Sequence, residues 1–385
     1  MINGEKFLEQ PIRWAMIGGG RGSQIGYIHR SAALRDANFQ LVAGAFDIDP
    51  ERGKDFGKNL YVDPDRCYTD YKSLIEAESK RSDGVQAVSI ATPNFTHFEI
   101  AKAALEAGLH VYCEKPMCFD TDQAKELEET VKKSGKVMFI SYGYCGHQMI
   151  EQARRMVANG DLGKIRIINT KFAHGGSSAP VEKKSGAQAW RVDPKKSGPS
   201  FVLGDLGTHP LYLIEAICPD LKIKRVMCSR QSFVEGRALE DNAMSIMEYD
   251  NGAIAYVWSS AVNAGSDFGF TFRIVGEKAS IAWDAEHPNQ LAYQIQGEAP
   301  RVIARGTGYL YPEAKADDRI GGGHPEGLFE AWSNLYTKFA KAISKTEKGE
   351  KIDFWYPGIE AGVEGVKWVE KCVESANNGG TWINY

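Results

Sequence analysis

The first third of the chain alternates between short apolar runs and stretches with helical spacing. The runs are rich in Val and Ile and show little polar alternation, which is typical of strands that are buried on both faces of a parallel sheet. Helices between such strands form the right-handed crossovers of an α/β domain. The predicted strands are residues 12–17, 40–46, 85–91, 110–113 and 136–142.

The pattern changes after about residue 145, where strands begin to dominate. Turn residues between these strands favour hairpins, and therefore an antiparallel sheet. The predicted strands of this part are residues 165–173, 223–234, 243–249, 253–261, 268–275 and 279–283. Two late helices are predicted over residues 326–345 and 358–375. The second part is therefore predicted to be α+β.

These patterns predict two domains. The first, over residues 1–145, is an α/β domain with a parallel sheet, and the second, over residues 146–385, is an α+β domain. A length of 385 residues suits two domains better than one. Whether the C-terminal helix returns to pack on the first domain stays open at this point.

Charge and composition exclude several classes of function. The formal net charge of −4 provides no basic excess for a nucleic-acid backbone. Residues 1–10 lack the apolar core of a signal peptide, and no run approaches the roughly 18 apolar residues of a membrane span. We therefore expect a cytoplasmic protein. The seven cysteines form no CxxC pair, so buried thiols are expected rather than a metal site.

A glycine-rich turn, Gly18–Ser23, lies between the first predicted strand and the first predicted helix. Gly18 permits the tight turn, and Gly20 lets the backbone approach a pyrophosphate that sits at the helix N-terminus. Ser23 occupies the third fingerprint position, where a small residue still permits close packing of helix on strand. The turn alone is equally compatible with a plain loop, but its place in a βα unit favours a Rossmann dinucleotide site.

Asp47, at the end of the second predicted strand, bears on the choice of dinucleotide. An acid at this place can accept hydrogen bonds from the adenosine ribose and repel a 2′-phosphate, which favours NAD over NADP. Arg52 is near in sequence and keeps NADP open. The plainer interpretation of Asp47 is a cap of the helix that Pro50 opens, although Asp49 suits that role better.

Two short segments carry candidate chemistry. Glu114-Lys115-Pro116 follows the fourth strand, at the sheet edge where ligands of parallel sheets bind. Asp205 and His209 are four residues apart, so a helix would place them on one face. A histidine there can act as a base that an aspartate orients. The plainer alternatives are a solvated Glu–Lys pair, Asp205 as an N-cap, and His209 as a satisfied, partly buried histidine.

Taken together, these features resemble the Gfo/Idh/MocA oxidoreductases, which include glucose–fructose oxidoreductase and inositol dehydrogenases. The resemblance covers nearly the whole chain, and Glu114-Lys115-Pro116 is its most specific element. It implies a catalytic set of Lys115, Asp205 and His209, without a metal. It also implies that the second domain is a large open, mostly antiparallel sheet that builds a homodimer or homotetramer.

The resemblance also implies which residues bind the cofactor and the substrate. The predicted cofactor-binding residues are Gly18, Gly20, Arg21, Gly22, Ser23, Asp47, Thr92, Pro93, Asn94, His97, Glu114 and Lys115. The predicted substrate-binding residues are Lys115, Tyr144, His147, Trp190, Arg191, Asp205, His209 and His324. Trp190 would stack on a sugar ring, while Arg191 and His324 would contact hydroxyl or carboxylate groups. The plainer alternatives are Trp190 as core, Arg191 in a surface ion pair and His324 as a turn residue.

The function that follows is an NAD-dependent oxidoreductase acting on a secondary hydroxyl of a sugar, sugar derivative or inositol. His209 would take the hydroxyl proton and Lys115 would stabilise the developing alkoxide. Two alternatives remain. One is glycoside cleavage by transient oxidation and elimination, and the other is a non-catalytic dinucleotide-binding regulator, which would not need Lys115, Asp205 and His209 together.

Overall fold

The computed structural model describes residues 7–180 and 189–385, and these divide into two compact units. The first unit comprises residues 7–143 and 332–364, and the second comprises residues 144–180, 189–331 and 365–385. In the described part of the chain, no helix combines the length and the hydropathy that crossing a membrane demands.

The first unit contains a parallel sheet, as the apolar runs predict. Its strands lie in the order β2-β1-β3-β4-β5, and every neighbouring pair is parallel. All residues of the three strands β3 to β5 are buried, because helices cover both faces of the sheet. The strands are β1 (Ile12–Gly18), β2 (Phe39–Ala45), β3 (Ala87–Ala91), β4 (His110–Cys113) and β5 (Met138–Ile140).

The helices begin and end at recognisable caps. The side chain of Asp49 accepts a hydrogen bond from the Arg52 N–H at the start of α2, and Gly135 ends α5 in the left-handed conformation. The α-helices of the described residues are α1 (Gln24–Leu34), α2 (Pro50–Asn59), α3 (Tyr71–Glu78), α4 (His97–Glu106), α5 (Thr121–Ser134), α6 (Gln148–Ala158), α7 (Pro194–Ser197), α8 (Thr208–Ile217), α9 (Pro312–Ala316), α10 (Leu328–Glu347) and α11 (Ile359–Asn377).

Most of α10 belongs to the first unit, although it lies far along the chain. The ring of Tyr336 stacks on Tyr112 of β4 with ring centroids 4.6 Å apart, and Phe339 stacks on Phe39 of β2. Tyr336 and Phe339 are almost completely buried. The domain boundary at residue 145 stays a prediction, and the structure adds that residues 332–364 are part of the same compact unit as residues 7–143.

The second unit is built on a mostly antiparallel sheet, which confirms the predicted fold class. Its strand order is β13-β12-β11-β10-β6-β9-β8-β7-β14, and β6 pairs with β9 in parallel. The strands are β6 (Ile165–Ala173), β7 (Ile223–Gln231), β8 (Asn242–Tyr249), β9 (Ile254–Ser260), β10 (Phe270–Gly276), β11 (Ala279–Asp284), β12 (Gln290–Ile295), β13 (Arg301–Ala304) and β14 (Ile383–Asn384).

The last three strands in chain order, β12, β13 and β14, are absent from the sequence prediction. Along β12, buried and exposed residues mix with no apolar run, and no residue of β13 is buried. Short strands of this kind, at a sheet edge or next to it, lack the hydrophobic signal on which the prediction depends. Elsewhere on the sheet, Ile167, Met244 and Ile254 are exposed. The predicted homo-oligomer stays a prediction.

Truncation of Phe339 should destabilise the first unit. Its ring is fully buried against Phe39, Tyr112 and Phe139, so Phe339→Ala leaves a cavity and should lower the free energy of unfolding by about 3–5 kcal/mol. Urea unfolding followed by tryptophan fluorescence measures the change. The exposed Lys341 lies on the same helix, and Lys341→Ala should change stability by about 0.5 kcal/mol at most. Equal stability of the two variants would show that this packing does not hold the unit together.

Candidate functional site

The glycine-rich turn brings two backbone segments closer than a side chain would allow. A Cβ atom on Gly20 would lie 2.4 Å from the carbonyl oxygen of Phe46, at the end of β2. Only glycine fits this approach. The turn therefore leaves the N-terminus of α1 open to an anion, as a dinucleotide pyrophosphate requires, and the residues present fit that group.

Ser23 has a different role from the one that the fingerprint suggests. Its Oγ accepts a hydrogen bond from the Gly26 N–H over 3.1 Å, which makes it the N-cap of α1. The close packing of helix on turn occurs three residues later, where a Cβ atom on Gly26 would lie 2.1 Å from the carbonyl oxygen of Gly19. The sequence analysis missed Gly26, because its closeness to Gly19 is set by the path of the turn.

Asp47 and Arg52 form an ion pair at the end of β2. One carboxylate oxygen of Asp47 accepts from Arg52 Nη2 over 2.7 Å, and the other accepts from the Asp49 N–H over 3.0 Å. Burial opposes the charged form, but the hydrogen bonds from Asp49 and Arg52 outweigh it and lower the pKa of Asp47. The Arg52 side chain is 70% exposed. Nearby, Arg21 makes an exposed ion pair with Asp55.

His97 ties together the loops that follow β3 and β4. Its Nδ1 lies 2.8 Å from the carbonyl oxygen of Pro116, and its Nε2 lies 2.9 Å from that of Thr92. The imidazole is fully buried, and both ring nitrogens contact these loops. Asn94, in the first loop, is also buried. Cofactor binding by Thr92, Pro93, Asn94 and His97 stays a prediction.

The plainer interpretation of Glu114 and Lys115 as a solvated pair is wrong. Glu114 is buried, and its Oε1 lies 3.0 Å from Nε2 of His29 on α1. Burial disfavours the charged carboxylate, but the interactions with His29 and, after them, the charge of Lys115 lower the pKa of Glu114. Lys115 follows at the carboxyl end of β4 and is partly exposed.

Asp205 and His209 do not lie on one regular helix as predicted. Leu203–Gly207 forms a π-helical turn that contains Asp205, and α8 begins only at Thr208. Gly204 directly precedes Asp205, and Gly207 is the last residue of the turn. Single π-turns within helical segments occur frequently at functional sites.

Asp205 is paired with Arg191. Its Oδ2 lies 3.4 Å from Arg191 Nε, and the guanidinium of Arg191 lies over the ring of Trp190, 4.9 Å from its centroid. The structure therefore brings together three residues that the sequence analysis took from two separate segments. Trp190 is partly exposed, so the interpretation of Trp190 as core is wrong.

An aromatic cluster surrounds His209. Tyr144 meets it edge to face with ring centroids 4.8 Å apart, and Phe172 and Phe270 complete the surroundings. His174, which the sequence analysis missed, follows β6 directly. Burial lowers its pKa, and the charge of Asp205 opposes that shift. Its place directly after a predicted strand is the sequence feature that could have identified it as a candidate site residue.

The two remaining predicted histidines differ in their surroundings. His147 is buried with its ring 5.5 Å from Trp283, and burial lowers its pKa to about 4, so the ring is neutral at pH 7. His324 is exposed in a glycine-rich loop, and its carbonyl oxygen accepts from Arg305 over 2.7 Å. Arg305 is buried and also pairs with Asp318 and Glu326, so it fixes this loop.

All seven cysteines are buried. Among the residues that the structure describes, no group of three or more His, Cys, Asp and Glu side chains could hold a metal ion.

Comparison with known proteins identifies the two parts of the chain. Residues 12–142 match the family described as "Oxidoreductase family, NAD-binding Rossmann fold", and residues 154–384 match "Oxidoreductase family, C-terminal alpha/beta domain". An uncharacterized oxidoreductase, YfiI of Bacillus subtilis, is 52% identical over the full length of both chains.

Solved structures give a similar result. An inositol dehydrogenase homolog from Azotobacter vinelandii, complexed with NAD⁺, is 62% identical, with a TM-score of 0.99 and full coverage of both chains. A second structure from that organism, an inositol dehydrogenase homolog complexed with NADH and myo-inositol, is 61% identical, with a TM-score of 0.95 and full coverage of both chains.

Replacement of Asp47 should shift the choice of dinucleotide toward NADP. Asp47→Ser removes the carboxylate that is predicted to repel a 2′-phosphate, and it removes the partner with which Arg52 pairs. A charge-assisted hydrogen bond from Arg52 to the phosphate contributes about 1.5–3 kcal/mol, so NADPH affinity should rise roughly tenfold or more. Fluorescence titration with NADH and NADPH measures both dissociation constants.

The double variant Asp47→Ser/Arg52→Ala is the matched control. It also lacks the repelling carboxylate but has no guanidinium to bind the phosphate, so most of the gain in NADPH affinity should disappear. If the single and double variants bind NADPH equally well, the role given to Arg52 is incorrect.

Proposed function

Because the chain belongs to the Gfo/Idh/MocA oxidoreductase family, we propose that it oxidises a secondary hydroxyl of an inositol-type cyclic polyol with NAD⁺. The observation that carries this proposal is the 61% identity, over full chain length, to an inositol dehydrogenase homolog whose structure holds NADH and myo-inositol. Relatives at lower identity are named as dehydrogenases of glucosides and glucose 6-phosphate, and they support action on a CH–OH group.

The chain's own residues supply the requirements for the dinucleotide. Gly20 has no side chain, so its backbone can pass close to Phe46 and the N-terminus of α1 has room for the pyrophosphate. Asp47, kept ionised by its hydrogen bonds, would accept from the ribose hydroxyls and favour NAD. When bound, the nicotinamide supplies the hydride acceptor.

The proton chemistry is proposed for Lys115 and His209. His209 takes the proton of the substrate hydroxyl as the carbinol hydride leaves. The ammonium of Lys115 stabilises the developing alkoxide, a contribution that grows toward the transition state. Tyr144, packed edge to face on His209, holds the imidazole in a fixed orientation.

Asp205 is proposed to act on the substrate with Arg191 and Trp190. Its carboxylate is held by Arg191, which itself lies over the Trp190 ring. A carboxylate, a guanidinium and an indole side by side can accept from, donate to and stack on a polyol ring. His174, near the charge of Asp205, would add a further contact to a hydroxyl.

A screen of NAD⁺ reduction tests the proposed activity. The panel contains myo-inositol, other inositols, aldoses, sugar acids and methyl glycosides, and NADH formation is followed at 340 nm. We expect inositols to be oxidised with one NADH released for each ketone formed. Release of free sugar from a glycoside without net NADH would instead identify the cleavage reaction, and tight NAD⁺ binding without any turnover would identify a regulator.

Replacement of Lys115 separates chemistry from cofactor binding. Lys115→Ala removes the charge that stabilises the alkoxide, so kcat should fall by about 10²–10³-fold. The NAD⁺ dissociation constant should stay within about twofold, a difference below 1 kcal/mol. Lys132→Ala, which removes an exposed lysine from α5, should leave both quantities unchanged. Near-normal turnover of Lys115→Ala would contradict the assignment.

A further inference from the structure

Five buried side chains form a continuous line of hydrogen bonds inside the first unit. They come from β1, β3, α10, α1 and the end of β4, and are called the donor chain below. The distances are 2.9 Å from Trp14 Nε1 to Ser89 Oγ, 2.7 Å from Ser89 Oγ to Tyr336 Oη, 2.7 Å from Tyr336 Oη to His29 Nδ1, and 3.0 Å from His29 Nε2 to Glu114 Oε1. The first four residues are at most 1% exposed and Glu114 is 9% exposed.

The two ends of the donor chain fix the direction of every hydrogen bond in it. The indole of Trp14 can only donate, and an ionised Glu114 can only accept. Ser89 therefore accepts from Trp14 and donates to Tyr336. Tyr336 then donates to Nδ1 of His29, and His29 donates from Nε2 to Glu114. Each hydroxyl, as well as the imidazole, makes one bond as donor and one as acceptor.

Other proton placements leave a group unsatisfied. If His29 carried protons on both nitrogens, Tyr336 would have to accept from it and donate to Ser89. Ser89 would then accept twice, and its own proton would have no acceptor among the contacts of the described residues. A buried donor without an acceptor costs about 1–3 kcal/mol. The neutral Nε2–H form of His29 is the one that satisfies every member.

The rings beside the donor chain hold its members in place. Tyr112 stacks on Tyr336 with centroids 4.6 Å apart and meets His29 edge to face at 5.4 Å. Burial raises the pKa of Tyr336 well above its usual value, so its hydroxyl keeps the proton that it donates. Unidirectional chains of this kind polarise one another and strengthen each bond.

The donor chain ends beside the proposed catalytic lysine. Glu114 receives the His29 N–H on Oε1, while its Oε2 lies 3.3 Å from the backbone nitrogen of Lys115. A buried carboxylate persists only when its charge is compensated. The donor chain contributes to that compensation from α1, the helix that begins after the glycine-rich turn, and the charge of Lys115 adds to it.

We propose that the donor chain fixes the Lys115 segment through Glu114, so that His29 and Tyr336 are positioning residues for the lysine. This proposal rests on the proposed function, because Lys115 is the group that they position. The donor chain links the helix at the glycine-rich turn to the strand end that carries Lys115. Loss of the His29 or Tyr336 contact displaces the lysine, and neither residue is among those predicted to bind the dinucleotide or the polyol.

The protonation of His29 can be tested without any turnover. In protein labelled with ¹⁵N-histidine, the His29 signals are identified as those missing from His29→Gln. We expect a protonated Nε2 and an unprotonated Nδ1 at neutral pH, with a shift of the Nδ1 resonance in Tyr336→Phe, which removes the donor. An Nδ1–H form, or a ring protonated on both nitrogens, would overturn the donor chain.

Kinetics test the positioning role. Tyr336→Phe keeps the stacked ring and removes only the hydroxyl, so kcat should fall by roughly tenfold, as expected for a buried hydrogen bond lost in the transition state. KM for the polyol and the NAD⁺ dissociation constant should stay within about twofold, a difference below 1 kcal/mol. The control Thr337→Val removes the next buried hydroxyl on α10, which bonds to Asp36, and should keep kcat. Equal kcat in both variants would overturn the positioning role.

A conservative replacement of His29 provides a second test of the positioning role. The amide of His29→Gln can donate to Glu114 and accept from Tyr336, whereas His29→Leu can do neither. Gln should therefore retain more activity than Leu at similar thermal stability, and the reverse order contradicts the proposal. If His29→Leu does not fold, Tyr336→Phe still decides the question. If the wild-type protein oxidises no polyol, the proposed function fails, while the histidine spectra still decide whether the donor chain exists.

Discussion

The seating of Tyr336 in the core of the first unit is the contact on which that unit depends. Its ring stacks on Tyr112 and meets Trp14 and Phe39 edge to face. Its hydroxyl bonds to both Ser89 and His29. Tyr336, a single side chain from late in the sequence, therefore contacts both the apolar core of the sheet and the hydrogen-bonded groups that lead to Glu114, the residue before Lys115. A phenylalanine could do only the first of these, because it lacks the hydroxyl.

Two different physical means prepare the surface for the dinucleotide. Near the pyrophosphate position, the means is steric, because the close approach at Gly20 excludes any side chain. Near the proposed ribose position, the means is electrostatic, because hydrogen bonds from the Asp49 N–H and from Arg52 lower the pKa of Asp47. We expect the steric part to accept any dinucleotide pyrophosphate and the electrostatic part to favour NAD over NADP.

The parallel sheet could be predicted because most residues of its strands are buried, so that the strands form nearly continuous apolar runs. The edge strand β13 and its neighbour β12 could not, because their exposed residues interrupt any apolar run. At the candidate site, Lys115 and Asp47 were predicted from their places at strand ends, and their roles stay predictions. His29 was missed because its partners, Glu114 and Tyr336, are distant in sequence. The pairing of Asp205 with Arg191 was missed for the same reason, and the π-helical turn gives no periodic signal.

The inclusion of residues 332–364 in the first unit has a consequence for synthesis of the protein in a cell. The ribosome delivers the chain from its N-terminus at about 5–20 residues per second, so the segment that carries Tyr336 emerges on the order of ten seconds or more after β5. During that interval Tyr112, Phe39 and Phe139 lack the cover that α10 later provides. We expect the nascent chain to bind chaperones in this window, and the dinucleotide-binding unit to mature only near the end of translation.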